Sequence, residues 1–129
     1  MTENDIMYDI RGACFDVFRE LGPGLLESVY VAALKIALEE IGLDVVAEVE
    51  VPVYFKSKLL GIGFRMDLLV ENKVIIEVKS VKAIEDVHKK QLLTYLKLSN
   101  KRLGLLINFN SYVLKDGESM FRIINGAIE

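Results

Sequence analysis

Between positions 65 and 80 the chain reads Arg-Met-Asp-Leu-Leu-Val-Glu-Asn-Lys-Val-Ile-Ile-Glu-Val-Lys-Ser, an apolar run broken by three charges whose spacing could do chemistry: Asp67, Glu77 and Lys79. In a strand, side chains alternate between faces, so Ile75, Glu77 and Lys79 share one side while Val74, Ile76 and Val78 point to the other. The preceding run places Ile62, Phe64, Met66, Leu68 and Val70 on one apolar face and Arg65 and Asp67 on the opposite one. With Glu71-Asn72-Lys73 as a three-residue hairpin loop, Val70 pairs with Val74 and Asp67 falls opposite Glu77. Like charges directly opposed across two antiparallel strands repel. A hard divalent cation resolves that conflict, since Mg²⁺ is commonly held by one or two carboxylates with waters and substrate phosphates. Lys79, on the same face, could orient an attacking water or balance charge developing on a phosphoryl group. The plain alternative is a solvated hairpin face on which Lys79 and Arg65 neutralise the two acids.

The flanking segments must position these charges. Ile6, Ile10, Ala13, Cys14, Val17, Phe18 and Leu21 recur at helical spacing over residues 5–21, and Gly22-Pro23-Gly24 ends that helix. A second helix over about 26–41 carries Glu27 in its first turn, where the helix dipole favours a carboxylate whatever its function, with Tyr30 as packing. The valine-rich 44–55 predicts a half-buried strand in which Glu48 and Glu50 alternate with apolar residues, and Pro52 marks an edge position or a bulge. Lys56-Ser57-Lys58 turns the chain into the next strand, so the first three strands form a meander. From Asp86 to Ser99 the period changes to that of a helix ending at Asn100. Gln91 and Tyr95, four apart, share a face with His88 near it. A crossover helix implies that the strand after it, 103–109, runs parallel to the Glu77 strand. The Gln91 and Tyr95 face could then lie over the carboxylates, where an amide and a hydroxyl bind phosphate or position water; a polar helix face with a partly packed tyrosine reads the same way. His88 alone reads as a satisfied surface histidine. Residues 112–114 and 120–124 are expected to close the chain as a hairpin around Lys115-Asp116-Gly117-Glu118.

Taken together, Asp67 followed by Glu77-Val78-Lys79 on the next strand resembles the D-(x)n-E-x-K signature of PD-(D/E)XK nucleases. Gly24-Leu25-Leu26-Glu27-Ser28-Val29-Tyr30 is similar to the pattern that names the GxxExxY family within that superfamily. His88, Gln91 and Tyr95, and then Leu105-Leu106-Ile107-Asn108-Phe109-Asn110, follow in matching order. The likeness spans about residues 5–125, and it departs from the pattern where Met66 stands in place of the proline before Asp67. The resemblance implies an α/β fold with a restriction-endonuclease-like core, a mixed central β-sheet flanked by helices. It implies Mg²⁺ or Mn²⁺ bound by Asp67, Glu77 and the Val78 carbonyl. Lys79 and Glu27 would be catalytic, with Glu27 reaching the metal directly or through a water. Gln91, Tyr95, His88 and Tyr30 would contact the substrate, and the substrate would be nucleic acid, DNA before RNA.

With 129 residues the chain fits one domain, 1–129, and its composition, 52% hydrophobic and 27% charged, is that of an ordinary globular protein. No apolar stretch reaches membrane-spanning length and the first residues lack a basic leader, so a cytoplasmic protein with no membrane partner is expected. Cys14 sits at an apolar helical position and reads as a core thiol. The net charge of −3 is unusual for a nucleic-acid binder, but seven Lys and Arg lie between Lys79 and Arg102 against only Glu85 and Asp86. Such segregation lets one basic face meet phosphates. One chain carries one candidate site, so cutting a duplex in one event would call for a homodimer. A nuclease-fold module that is catalytically silent and acts through a partner is the alternative function.

Overall fold

A computed structural model describes residues 1–128, which fold as α1 (Glu3–Leu21), α2 (Glu27–Glu40), β1 (Val45–Phe55), β2 (Lys58–Val70), β3 (Val74–Lys79), α3 (Asp86–Ser99), β4 (Leu103–Asn108) and β5 (Met120–Ile124). The five strands form one sheet in sequence order. β1, β2 and β3 are an antiparallel meander, β3 and β4 are parallel across the α3 crossover, and β5 returns antiparallel to β4. This is the mixed, helix-flanked α/β sheet expected.

Both hairpin turns are built from left-handed residues. Lys56 and Ser57 (φ 50° and 64°) join β1 to β2, and Glu71 and Asn72 (φ 52° and 54°) lead the three-residue loop that pairs Val70 with Val74. Helix α3 stops at Asn100, whose left-handed backbone (φ 56°) is the conformation asparagine tolerates at a helix end. Pro52 lies on the edge strand, where its missing N–H removes no bond to a further neighbour, and the β1–β2 register shifts between Pro52 and Tyr54. At Gly63 a Cβ would stand 2.4 Å from the Val51 carbonyl oxygen, so only glycine allows this approach of the two strands.

Two cores form, one on each face of the sheet. Ile6, Ile10, Cys14 and Val17 of α1 and Tyr30, Leu34 and Leu38 of α2 pack on Leu68, Val70, Ile76, Val78, Leu105 and Ile107. On the other face Leu92 and Leu96 of α3 meet Met66, Leu69, Ile75 and Leu106. Cys14 is fully buried, and burial pushes its thiol pKa up to about 12, so it is a packing residue rather than a nucleophile. Among the described residues no helix is long and apolar enough to cross a membrane.

Two expectations are corrected. The apolar side chains of β2 do not share one face: Phe64 and Met66 pack under α3, whereas Leu68 and Val70 pack under α1 and α2. β1 changes sides with it, Ala47 joining the first core and Val49 and Val51 the second. The exchange occurs at the one step between, where Glu48 (φ 57°) and Asp67 stand across from each other in the register on either side, Ala47↔Leu68 and Val49↔Met66. A left-handed residue inside a strand rotates the succeeding side chains to the opposite face, which no hydrophobic pattern announces. Residues 112–114 form no strand. Strand β5 pairs instead with β4, whose six buried residues offer it a five-pair ladder. The Ser119 hydroxyl satisfies the 113–115 backbone in place of a partner strand, donating to Val113 O (2.9 Å) and accepting from Lys115 N (2.8 Å).

Candidate active site

The site lies where β2 and β3 part. Their ladder runs from Val70↔Val74 to Leu68↔Ile76, and continuing that register puts Asp67 across from Glu77. Beyond that rung the Val78 N–H donates to the Asp67 side chain, at Oδ2, at 2.8 Å. The carboxylate has taken the place of a ladder acceptor, which wedges the strands apart. An antiparallel residue turns its N–H and C=O toward the same neighbour, so the Val78 carbonyl faces this gap as well.

Glu77 is 5% exposed, and its Oε1 is buried without a hydrogen-bond partner among the described residues. Its pKa is raised from 4.5 to about 9, first by burial, then by the Asp67 charge and by a hydrogen bond with the Asp67 side chain. The nearby Lys79 ammonium and the Asp67 backbone lower it only in part. A buried carboxylate with an unsatisfied oxygen beside a second carboxylate suits an electropositive partner. The donors present, two carboxylates and a carbonyl, are hard oxygens that fit a divalent cation of the Mg²⁺ type. Among the described residues no three His, Cys, Asp or Glu side chains gather to hold a metal by themselves, so waters or substrate oxygens would complete its shell.

Glu27 lines the same cleft of about 470 Å³ as Asp67, together with Glu48, Arg65 and Ser80. Its Oε2 accepts from the Ser80 N–H at 3.1 Å, and the Ser80 hydroxyl donates to Leu25 O at 2.7 Å. The residue after Lys79 is thereby tied to the start of α2. Tyr30, expected at the substrate, is fully buried: its ring stacks on Phe109 at 4.4 Å, and its hydroxyl donates to Gly22 O (2.5 Å) and accepts from Leu25 N (3.1 Å). With its hydroxyl engaged and its ring covered it does not reach a substrate; it holds the 22–25 turn that presents Glu27.

On the α3 side, Tyr95 stacks on Phe64 at 4.1 Å, and its phenol pKa is raised by burial and then by the charges of Glu77 and Asp67. Tyr95 is therefore close enough to sense both acids. Gln91 lies one turn earlier on α3 and is exposed. His88 is bound into the helix cap, its Nδ1 accepting from the Glu85 N–H at 3.0 Å.

Two contributors, Ser80 and Glu48, carry little or no signal in the sequence pattern, and a third, Asn108, is marked there only as part of the 105–110 segment. Ser80 has only its position directly after the E-x-K stretch to mark it. Asn108 is 3% exposed and straps Val81, accepting from its N–H (3.0 Å) and donating to its carbonyl (2.9 Å). Glu48 gives no sign in the sequence of its left-handed backbone.

The sheet thus carries paired acids, Asp67 and Glu77, on neighbouring strands, with Lys79 two residues further along. The chain belongs to the PD-(D/E)XK nuclease superfamily, whose family model matches residues 4–122. Enzymes of that superfamily generally use divalent metals. No curated protein matches the chain.

Proposed function

We propose that the protein is a divalent-metal-dependent nuclease of the GxxExxY branch that hydrolyses phosphodiester bonds, in DNA before RNA. The observation that carries this reading is the buried, unpartnered Glu77 Oε1 beside Asp67. Asp67, Glu77 and the Val78 carbonyl would hold Mg²⁺ or Mn²⁺, which when bound polarises the scissile phosphate and lowers the pKa of water. Lys79 would supply a positive charge next to Glu77, where charge builds on the phosphoryl oxygens. Glu27, fixed by Ser80, would stand across the cleft from Asp67, within reach of a bound water. Tyr95 and Gln91 would contact the substrate from α3, and His88 would serve the helix cap that orients them. One chain offers one such site, so it would nick a single strand unless a second copy supplies the partner cut.

Purified protein should cleave nucleic acid with Mg²⁺ or Mn²⁺ and stop on addition of EDTA. Asp67→Ala and Glu77→Ala should lose cation binding and cleavage together. Lys79→Ala should retain cation binding while cleavage falls by about 10²–10³-fold, the usual loss for one electrostatic stabiliser. Undiminished metal-dependent cleavage by Glu77→Ala would refute the assignment. Cation binding without cleavage of single-stranded, duplex or structured substrates would turn the reading to a nuclease-fold binding module.

A further inference from the structure

Beside the carboxylate cleft lies a second, larger groove of about 680 Å³, lined by Pro23, Gly24, Ser80, Val81, Lys82, Asn110, Ser111 and Tyr112. Both hollows include Ser80, and Gly24 of the one adjoins Leu25 of the other, so they form one path past the C-terminal ends of β3 and β4. The floor is rigid. Asn108 and Asn110 hold Val81 from one side, Asn110 Nδ2 donating to Val81 O at 3.2 Å, and Ser80 is bonded to Leu25 and Glu27 on the other. The wall carrying Tyr112 is also fixed, since Val113 O accepts from both Ser111 Oγ (2.8 Å) and Ser119 Oγ (2.9 Å).

Tyr112 is 100% exposed, an aromatic ring at the lip of the groove that no other described residue covers. Single exposed apolar residues are common on protein surfaces. This one shares its groove with the exposed Lys82, the combination that grips an unpaired nucleotide: a stacking surface and a cation for phosphate. A base inside a duplex has both its faces stacked on neighbours and cannot use the ring.

Resting on the nuclease reading, we propose that this groove binds the single-stranded segment of a nucleic acid flanking the bond to be cut, with a base stacked on Tyr112 and a phosphate on Lys82. The substrate class is then a strand with an unpaired stretch, rather than an uninterrupted duplex.

The test reads binding alone, in EDTA, by fluorescence anisotropy of a labelled oligothymidine and of a blunt duplex of equal length. The single strand should bind the wild type more tightly than the duplex. Tyr112→Ala should weaken single-strand binding by about 5- to 150-fold, the range for loss of one base–aromatic stack, and leave duplex binding unchanged. Tyr112→Phe, which keeps the ring, should restore it. Lys82→Ala should weaken single-strand binding and reduce its salt slope by about 0.7, one phosphate contact. Because Tyr112 touches no core, equal melting temperatures should accompany these changes. Unaltered single-strand affinity in Tyr112→Ala, or an equal loss on both ligands, overturns the proposal. If Tyr112→Ala binds normally while the wild type still cleaves with Mg²⁺, the groove assignment fails and the nuclease reading stands. Nuclease failure is read separately, as absence of metal-dependent cleavage.

Discussion

Glu77→Gln should make the metal-free protein more stable, with a pH dependence that identifies the cause. Glu77 has a folded-state pKa of about 9 against an ordinary value of 4.5. Because the folded value is the higher, the protonated side chain favours folding below pH 4.5, and that contribution is lost as pH rises through about 9. Each pH unit in that window costs about 1.4 kcal/mol, so wild-type protein in EDTA should be destabilised by up to roughly 3 kcal/mol at pH 7 and roughly 6 kcal/mol above pH 9. Against a typical domain stability of about 5–15 kcal/mol these are large amounts. Glutamine is nearly isosteric and uncharged, and its amide can donate to Asp67 as the protonated acid does, so the variant should lack this slope. Denaturation in EDTA at pH 5, 7 and 9 would show the two proteins converging at pH 5 and separating by about 10 °C in Tm at pH 7. Saturating Mg²⁺ should stabilise the wild type and leave Glu77→Gln almost unmoved. Parallel pH slopes, or a variant less stable than wild type at pH 8, would refute the account of a buried acid awaiting a cation.

Asn108→Ala should leave the Val81 N–H without its acceptor, while Asn110 still donates to the Val81 carbonyl, and destabilise the fold by about 1–3 kcal/mol, measurable by urea denaturation, with weakened cation binding because the strand after Glu77 loses part of its strap. Gly63→Ala should cost about 1–3 kcal/mol through collision with Val51 O, seen as a lowered Tm with cation affinity per folded molecule unchanged.

What can be read from the chain depends on how local its cause is. The Asp67–Glu77 opposition is legible because one three-residue loop fixes the register and side-chain period does the rest. The span of α3 is legible from its period and from Asn100. The parallel β3–β4 pair follows from the helix between them. The packing of Tyr30 is legible as one of two readings of its helix, but its partner is not, because Phe109 lies far along the chain. The C-terminal segment departs from its expected hairpin because the competition is non-local: the edge of β4 is a better partner for Met120–Ile124 than three residues at 112–114. Side-switching at Glu48 is illegible because both strands keep an apolar alternation on either side of it, and nothing in a glutamate announces a left-handed backbone.

That side-switch has a mechanical outcome. Helix α3 has 14 residues and β2 has 13 residues. At the rise per residue of each, the helix spans roughly 21 Å and the strand roughly 43 Å. Whatever its course over the sheet, α3 can cover no more than about half the length of β2. The remainder extends as a two-stranded arm with Tyr54, Phe55, Leu59 and Ile62 uncovered, Ile62 at 81% exposure. Its bearing is set by the Glu48–Asp67 step, so the residue that anchors the candidate chemistry also sits at the shoulder of the arm. Any change that relaxes Glu48 out of its left-handed backbone would swing the arm and shift Asp67 in the same movement.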